Sequence, residues 1–129
     1  MPTRPGLVLL SLALGAAALT TASPAVARDE PERRVGTCTA SSDWKLRVTE
    51  DEGRLRVVAT LDSGVGDQVW NWTLRHNGDE SDIGRKETRD ESGAFTVVRS
   101  MIDLPGTDFI TFRADQARTG EVCRASIDY

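Results

Sequence analysis

From residue 44 onward the apolar side chains recur at every second position rather than every third or fourth. Trp44, Leu46 and Val48 alternate with Lys45, Arg47 and Thr49, and Leu55, Val57, Ala59 and Leu61 continue the pattern. It returns in Trp70, Trp72 and Leu74, in Ile110, Phe112 and Ala114, and in Cys123, Ala125 and Ile127. Successive side chains of a strand point to opposite faces, so a period of two gives each segment one apolar and one polar face. No segment in this region carries the 3.6-residue spacing of an amphipathic helix, which excludes a helical framework.

The connections agree with that reading. Glu50-Asp51-Glu52-Gly53 separates the first two segments, and Asn77-Gly78 supplies the two positive-φ positions of a tight hairpin turn. Asp62-Ser63-Gly64-Val65-Gly66-Asp67 is too rich in Gly and Asp for regular structure. Glu80 to Thr88 reads as a weak strand with Ile83 as its apolar anchor. Ala94 to Met101 reads as a strand of ambiguous phase, since Phe95, Val97 and Val98 leave room for a bulge near Val98. Seven short strands joined by turns predict an all-β fold of two antiparallel sheets packed face to face, with a small β-barrel as the alternative.

The chain divides unevenly along its 129 residues. Arg4 is followed by an uncharged apolar run, Gly6 to Leu19, and then by small residues ending in Ala25-Val26-Ala27. That order matches a secretory signal peptide, helical in its apolar part and cut after Ala27. The 14-residue run is shorter than the ~20 residues a membrane span needs. No cysteine follows the cut directly, which argues against a lipid anchor. Residues 28–36 are polar and contain Pro31, and they read as a flexible lead-in to a domain covering 37–129. A mature chain of 102 residues is one domain with a modest core, too small for a two-domain enzyme. Without Arg4, 15 Lys and Arg stand against 20 Asp and Glu, a formal charge of −5. On this balance neither nucleic-acid binding nor a polybasic surface for anionic lipid is expected, nor stable membrane insertion after cleavage.

Cys38 and Cys123 are the chain's two cysteines. In an exported protein they have only each other as partners and are expected to form a disulfide that closes nearly the whole domain. With no CxxC spacing and a single histidine, a redox pair or a zinc site is not expected, and no cofactor is implied. His76 flanks the Asn77-Gly78 turn, where a polar residue needs no catalytic explanation, and no GxSxG elbow accompanies it. Asp62, Asp67, Asp79, Glu80 and Asp82 are loop-region oxygen donors of the type calcium takes, but their spacing fits no complete EF-hand loop. The three tryptophans read as core residues; the alternative is that Trp44 or Trp70, near strand starts, is partly exposed and is a ligand contact.

Three resemblances follow from these residues. Asp108-Phe109-Ile110-Thr111-Phe112-Arg113-Ala114 resembles the F strand of immunoglobulin-like domains, with Phe112 at the usual Tyr position and Ala114 at the usual Cys position. The first departure removes the tyrosine-corner hydroxyl and the second removes the central disulfide. Leu104-Pro105-Gly106-Thr107 resembles the turn before that strand in fibronectin type III domains, though the inward phase after Phe109 is shifted. The layout as a whole is similar to a group of small secreted actinobacterial proteins of unknown function, through Trp44-Lys45-Leu46, His76-Asn77-Gly78 and Gly120-Glu121-Val122-Cys123-Arg124. The resemblance implies an immunoglobulin-like sandwich and an extracellular location, and carries over no site residues. The resulting expectation is a secreted, monomeric, non-enzymatic module that binds an extracellular protein or glycan. A secreted hydrolase, an enzyme inhibitor and a structural cell-envelope protein are the alternatives.

Overall fold

The structure, a computed structural model, describes residues 19–20 and 30–129. The expected signal segment and cleavage site lie outside the described residues, apart from Leu19 and Thr20. Eight strands form: β1 (Glu32–Thr37), β2 (Asp43–Asp51), β3 (Arg54–Asp62), β4 (Val69–His76), β5 (Asp79–Glu87), β6 (Ala94–Ile102), β7 (Phe109–Gln116) and β8 (Val122–Asp128). They build two four-stranded antiparallel sheets, ordered β1-β2-β3-β6 and β5-β4-β7-β8. The sheets remain separate, which makes the fold a sandwich and sets the barrel aside. β7, the segment resembling an F strand, is an interior strand between β4 and β8.

The alternating apolar positions fill the space between the sheets. Leu46, Val48, Leu55, Val57, Ala59 and Leu61 from the first sheet meet Trp70, Trp72, Leu74, Ile110, Phe112 and Ala114 from the second, all buried. Two hairpins are closed by pairs of left-handed residues, Glu52-Gly53 (φ 51° and 76°) and Asn77-Gly78 (φ 50° and 87°), the backbone shape that matches strand twist. The Gly- and Asp-rich loop before β4 is irregular, as expected, yet firmly held. Buried Thr88 donates its hydroxyl to the Val65 carbonyl (2.6 Å) and accepts from the Gln68 amide (2.9 Å).

Cys38 and Cys123 form the expected disulfide. It joins the residue after β1 to β8 in the other sheet and is flanked by a polar latch. The Glu121 carboxylate accepts from the Ala40 amide (3.1 Å), the Ser42 amide (3.0 Å) and the Ser42 hydroxyl (2.8 Å).

Three expectations are corrected. Residues 32–36, assigned to a flexible lead-in, belong to β1, which pairs with β2 from Glu32↔Val48 to Thr37↔Asp43. Its inward positions carry Glu32, Arg34 and Gly36, so backbone pairing holds it rather than apolar burial. Ile83 is not an inward anchor but is 57% exposed, because the inward positions of β5 are Asp82, Gly84 and Lys86. No bulge occurs at Val98: β6 pairs with β3 without a break, Val98 faces out and Arg99 faces in. The register shift lies in the β4–β5 pair, between Leu74 and Arg75.

Candidate ligand-binding face

Buried tryptophans account for much of the interior and remove one candidate contact. Trp70 is fully buried and offers no surface to a ligand. Trp44 is half-buried, packed on the core with its ring over Gly36, where a Cβ would collide with Cζ2 of the indole. Trp72 repeats the arrangement in the other sheet, its ring over Gly84 at 2.6 Å from such a Cβ. In both cases the glycine lies directly across from the tryptophan on an edge strand, so the missing side chain makes room for the indole. Arg99 covers the other side of Trp72 at 5.0 Å from the ring centroid, and its Nε donates to the Asp82 carboxylate at 2.5 Å. That bond, followed by the Ile83 amide, holds the Asp82 pKa below the usual carboxylate value. Arg99 therefore joins the edge strands of the two sheets.

His76 has a role its sequence position did not reveal. Its Nε2 lies 2.5 Å from Oδ1 of Asp108, which is 1% exposed. Oδ2 of Asp108 has no hydrogen-bond partner among the described residues. Asp103 approaches the same carboxylate, and its pKa is raised by desolvation, then by the Asp108 side chain. No Ser, Thr or Cys side chain among the described residues bonds to His76, so the pair as it stands orients a turn and a carboxylate. The carboxylates considered for calcium do not converge among the described residues. Asp62 caps the Gly64 amide (2.9 Å), Asp82 is engaged by Arg99, and the Asp67 pKa is raised by the Asp90 side chain at a separate place.

A concave site lies on the outer face of the second sheet. A groove of about 410 Å³ is lined by Thr73 and Arg75 of β4, Thr111 and Arg113 of β7, and Arg124 and Ser126 of β8. The register explains the grouping. Thr73, Arg113 and Arg124 form one row across three strands, and Arg75, Thr111 and Ser126 form the next. Asp115 grips Arg113 through two bonds, Nε to Oδ2 at 3.0 Å and Nη2 to Oδ1 at 2.9 Å, and raises its pKa further. Arg75 donates to the Gly78 carbonyl at 3.3 Å. The Arg124 side chain makes no hydrogen bond or ion pair with another described residue and stands directly opposite Arg113, an arrangement of like charges that weakens a sheet. Neither Trp44 nor Trp70 lines this groove.

The arrangement presents guanidinium donors beside three hydroxyls, a donor set for carboxylate, phosphate or sulfate oxygens. No helix among the described residues is long and apolar enough to cross a membrane. Comparison with known proteins matched no family model, no curated sequence and no solved structure.

Proposed function

We propose that this chain is an exported, non-enzymatic binding module that holds an anionic group of an extracellular glycan or protein in the groove across β4, β7 and β8. The observation that carries the reading is the Arg113–Arg124 pair. Two cations are set opposite each other, Arg113 on the interior strand β7 and Arg124 on the edge strand β8, one held in place by Asp115 and the other without an acidic partner among the described residues, beside Thr73, Thr111 and Ser126. An incoming anion relieves the repulsion and completes the donor set. The disulfide supports the exported part of the reading, since such bonds persist in oxidising compartments.

Binding to an array of acidic and neutral oligosaccharides, with acidic peptides printed alongside, tests the proposal. Acidic probes are expected to bind, and Arg124→Ala to weaken them about tenfold, the scale of one charge-assisted hydrogen bond. Equal retention of neutral probes, or acidic binding untouched by Arg124→Ala, would sink it.

A further inference from the structure

The outer face of the first sheet holds a second cationic surface that the net charge conceals. Its outward positions fall into rows across the strands. Val35, Lys45, Thr60 and Thr96 form one row, and Arg33, Arg47, Val58 and Val98 form the next. Thr49, Arg56 and Ser100 follow. These three rows contain four cations and no acid. Among the described residues the acids on this face stand only beyond them, Asp43 and Asp62 on one side and Asp51 on the other. With strands ~4.8 Å apart and alternate residues ~6.8 Å apart, the patch measures about 14 Å by 14 Å. That is close to the screening length of ~10 Å at moderate salt, so the four charges act as one field.

Four features separate this patch from an ordinary solvated sheet face. The side chains of Arg33, Lys45, Arg47 and Arg56 make no hydrogen bond or ion pair with other described residues. Arg33 and Arg47 stand directly opposite one another, where like charges weaken strand pairing. Edge protection explains Arg33 on β1, but Lys45, Arg47 and Arg56 lie on β2 and β3, whose backbones are paired on both sides. Aliphatic side chains are interleaved with the charges: Val35 is 65% exposed, Val98 40%, and Ile102 beside the patch 61%. A hydrated polymer gains little from these groups, whereas the headgroup layer of a bilayer takes aliphatic side chains and satisfies cations together.

We infer that the outer face of the β1-β2-β3-β6 sheet docks on an anionic phospholipid surface, with Arg33, Lys45, Arg47 and Arg56 toward the phosphates and Val35 and Val98 among the headgroups. The protein lies on the bilayer without entering it. This inference is independent of the groove in the second sheet, which points away from the docked surface and stays open to its own ligand.

Co-sedimentation of the oxidised exported protein with phosphatidylglycerol–phosphatidylcholine vesicles, against pure phosphatidylcholine vesicles, tests it. Binding is expected only to the anionic vesicles and is expected to fall with salt. Each neutralised cation weakens partition about fivefold and each reversed one about twenty-fivefold. Lys45→Glu/Arg47→Glu is thus expected to abolish sedimentation, and Arg33→Gln/Arg47→Gln to lower partition ~25-fold, while Arg124→Ala leaves it unchanged. Near-ultraviolet circular dichroism and the intact disulfide establish that each variant is folded. Equal binding to neutral vesicles, insensitivity to the Lys45 and Arg47 changes, or capture by soluble polyglutamate without any vesicle binding would each overturn the assignment. Loss through Arg124→Ala alone would assign the affinity to the groove instead.

Discussion

Removing the disulfide by Cys38→Ala/Cys123→Ala probes how the domain is stabilised, because its effect can be worked from chain length and checked in two independent quantities. The bond spans a sequence separation of 85. The loop-entropy relation then gives a loss of about 4.6 kcal/mol at 25 °C, felt in the denatured ensemble. Removal of the buried Cys123 sulfur from the core adds a smaller loss. A domain of this size has roughly 5 to 15 kcal/mol in total, so the variant sits near the edge of folding. The native geometry should survive, since Glu121 still holds Ala40 and Ser42, and Thr39 still exchanges bonds with Val122 (2.9 Å each way). Urea unfolding followed by tryptophan fluorescence should therefore show a lower midpoint and a steeper slope, because the uncrosslinked denatured chain exposes more surface. A loss under about 1 kcal/mol with unchanged slope would refute the denatured-state explanation. An altered native spectrum would show that the bond shapes the fold rather than limiting its alternatives.

Two further outcomes follow from the packing and the charges. Alanine usually improves on glycine inside a strand, yet Gly84→Ala is expected to destabilise by about 1 to 3 kcal/mol, because its Cβ meets the Trp72 ring at 2.6 Å. A rise in the urea midpoint would contradict the stacking of Trp72 on the bare backbone. Asp103→Asn is expected to stabilise the protein at neutral pH. The folded pKa of Asp103 lies above its unfolded value of 3.8, so the folded state loses stability as pH rises through that range and both states ionise. The advantage of the asparagine should shrink as pH falls and Asp103 becomes protonated. Thermal unfolding across pH 3 to 7 measures it, and a pH-independent difference would rule out the electrostatic cause.

What the alternation made legible was the interior. Every inward position assigned from Leu46 to Ile127 in the five clearly alternating segments is buried, because a period of two admits only one phase once the apolar residues choose a face. The edges were hidden for the opposite reason. β1 and β5 present Glu32, Arg34, Asp82 and Lys86 inward, and their registers come from backbone pairing and from two indoles resting on Gly36 and Gly84. No run of apolar residues marks such a strand. The phase of β6 was ambiguous because Arg99 takes an inward position that apolar counting expects a hydrophobe to fill, and its partners Trp72 and Asp82 are distant in sequence.

The cationic faces were illegible on similar grounds. Alternation places Lys45 and Arg47 outward, but only the register brings Arg33 and Arg56 beside them, or Arg124 beside Arg113. Total charge averages these rows with the acids of the turns and reports neither. His76 gave its neighbour in the sequence, Asn77, and not its partner Asp108, which β7 brings alongside.

The two tight turns also bear on the order of assembly. Glu52-Gly53 and Asn77-Gly78 close one hairpin in each sheet, β2–β3 and β4–β5, from residues adjacent along the chain. Such hairpins form in about 1 to 10 µs, long before the distant pairings of β6 with β3 and of β7 with β4 are found. Each sheet thus begins as its own local nucleus, and Cys123 reaches Cys38 only when the last strand docks. Formation of the bond consequently marks the end of folding, and an oxidant meets the two thiols already brought together rather than having to search for the pairing.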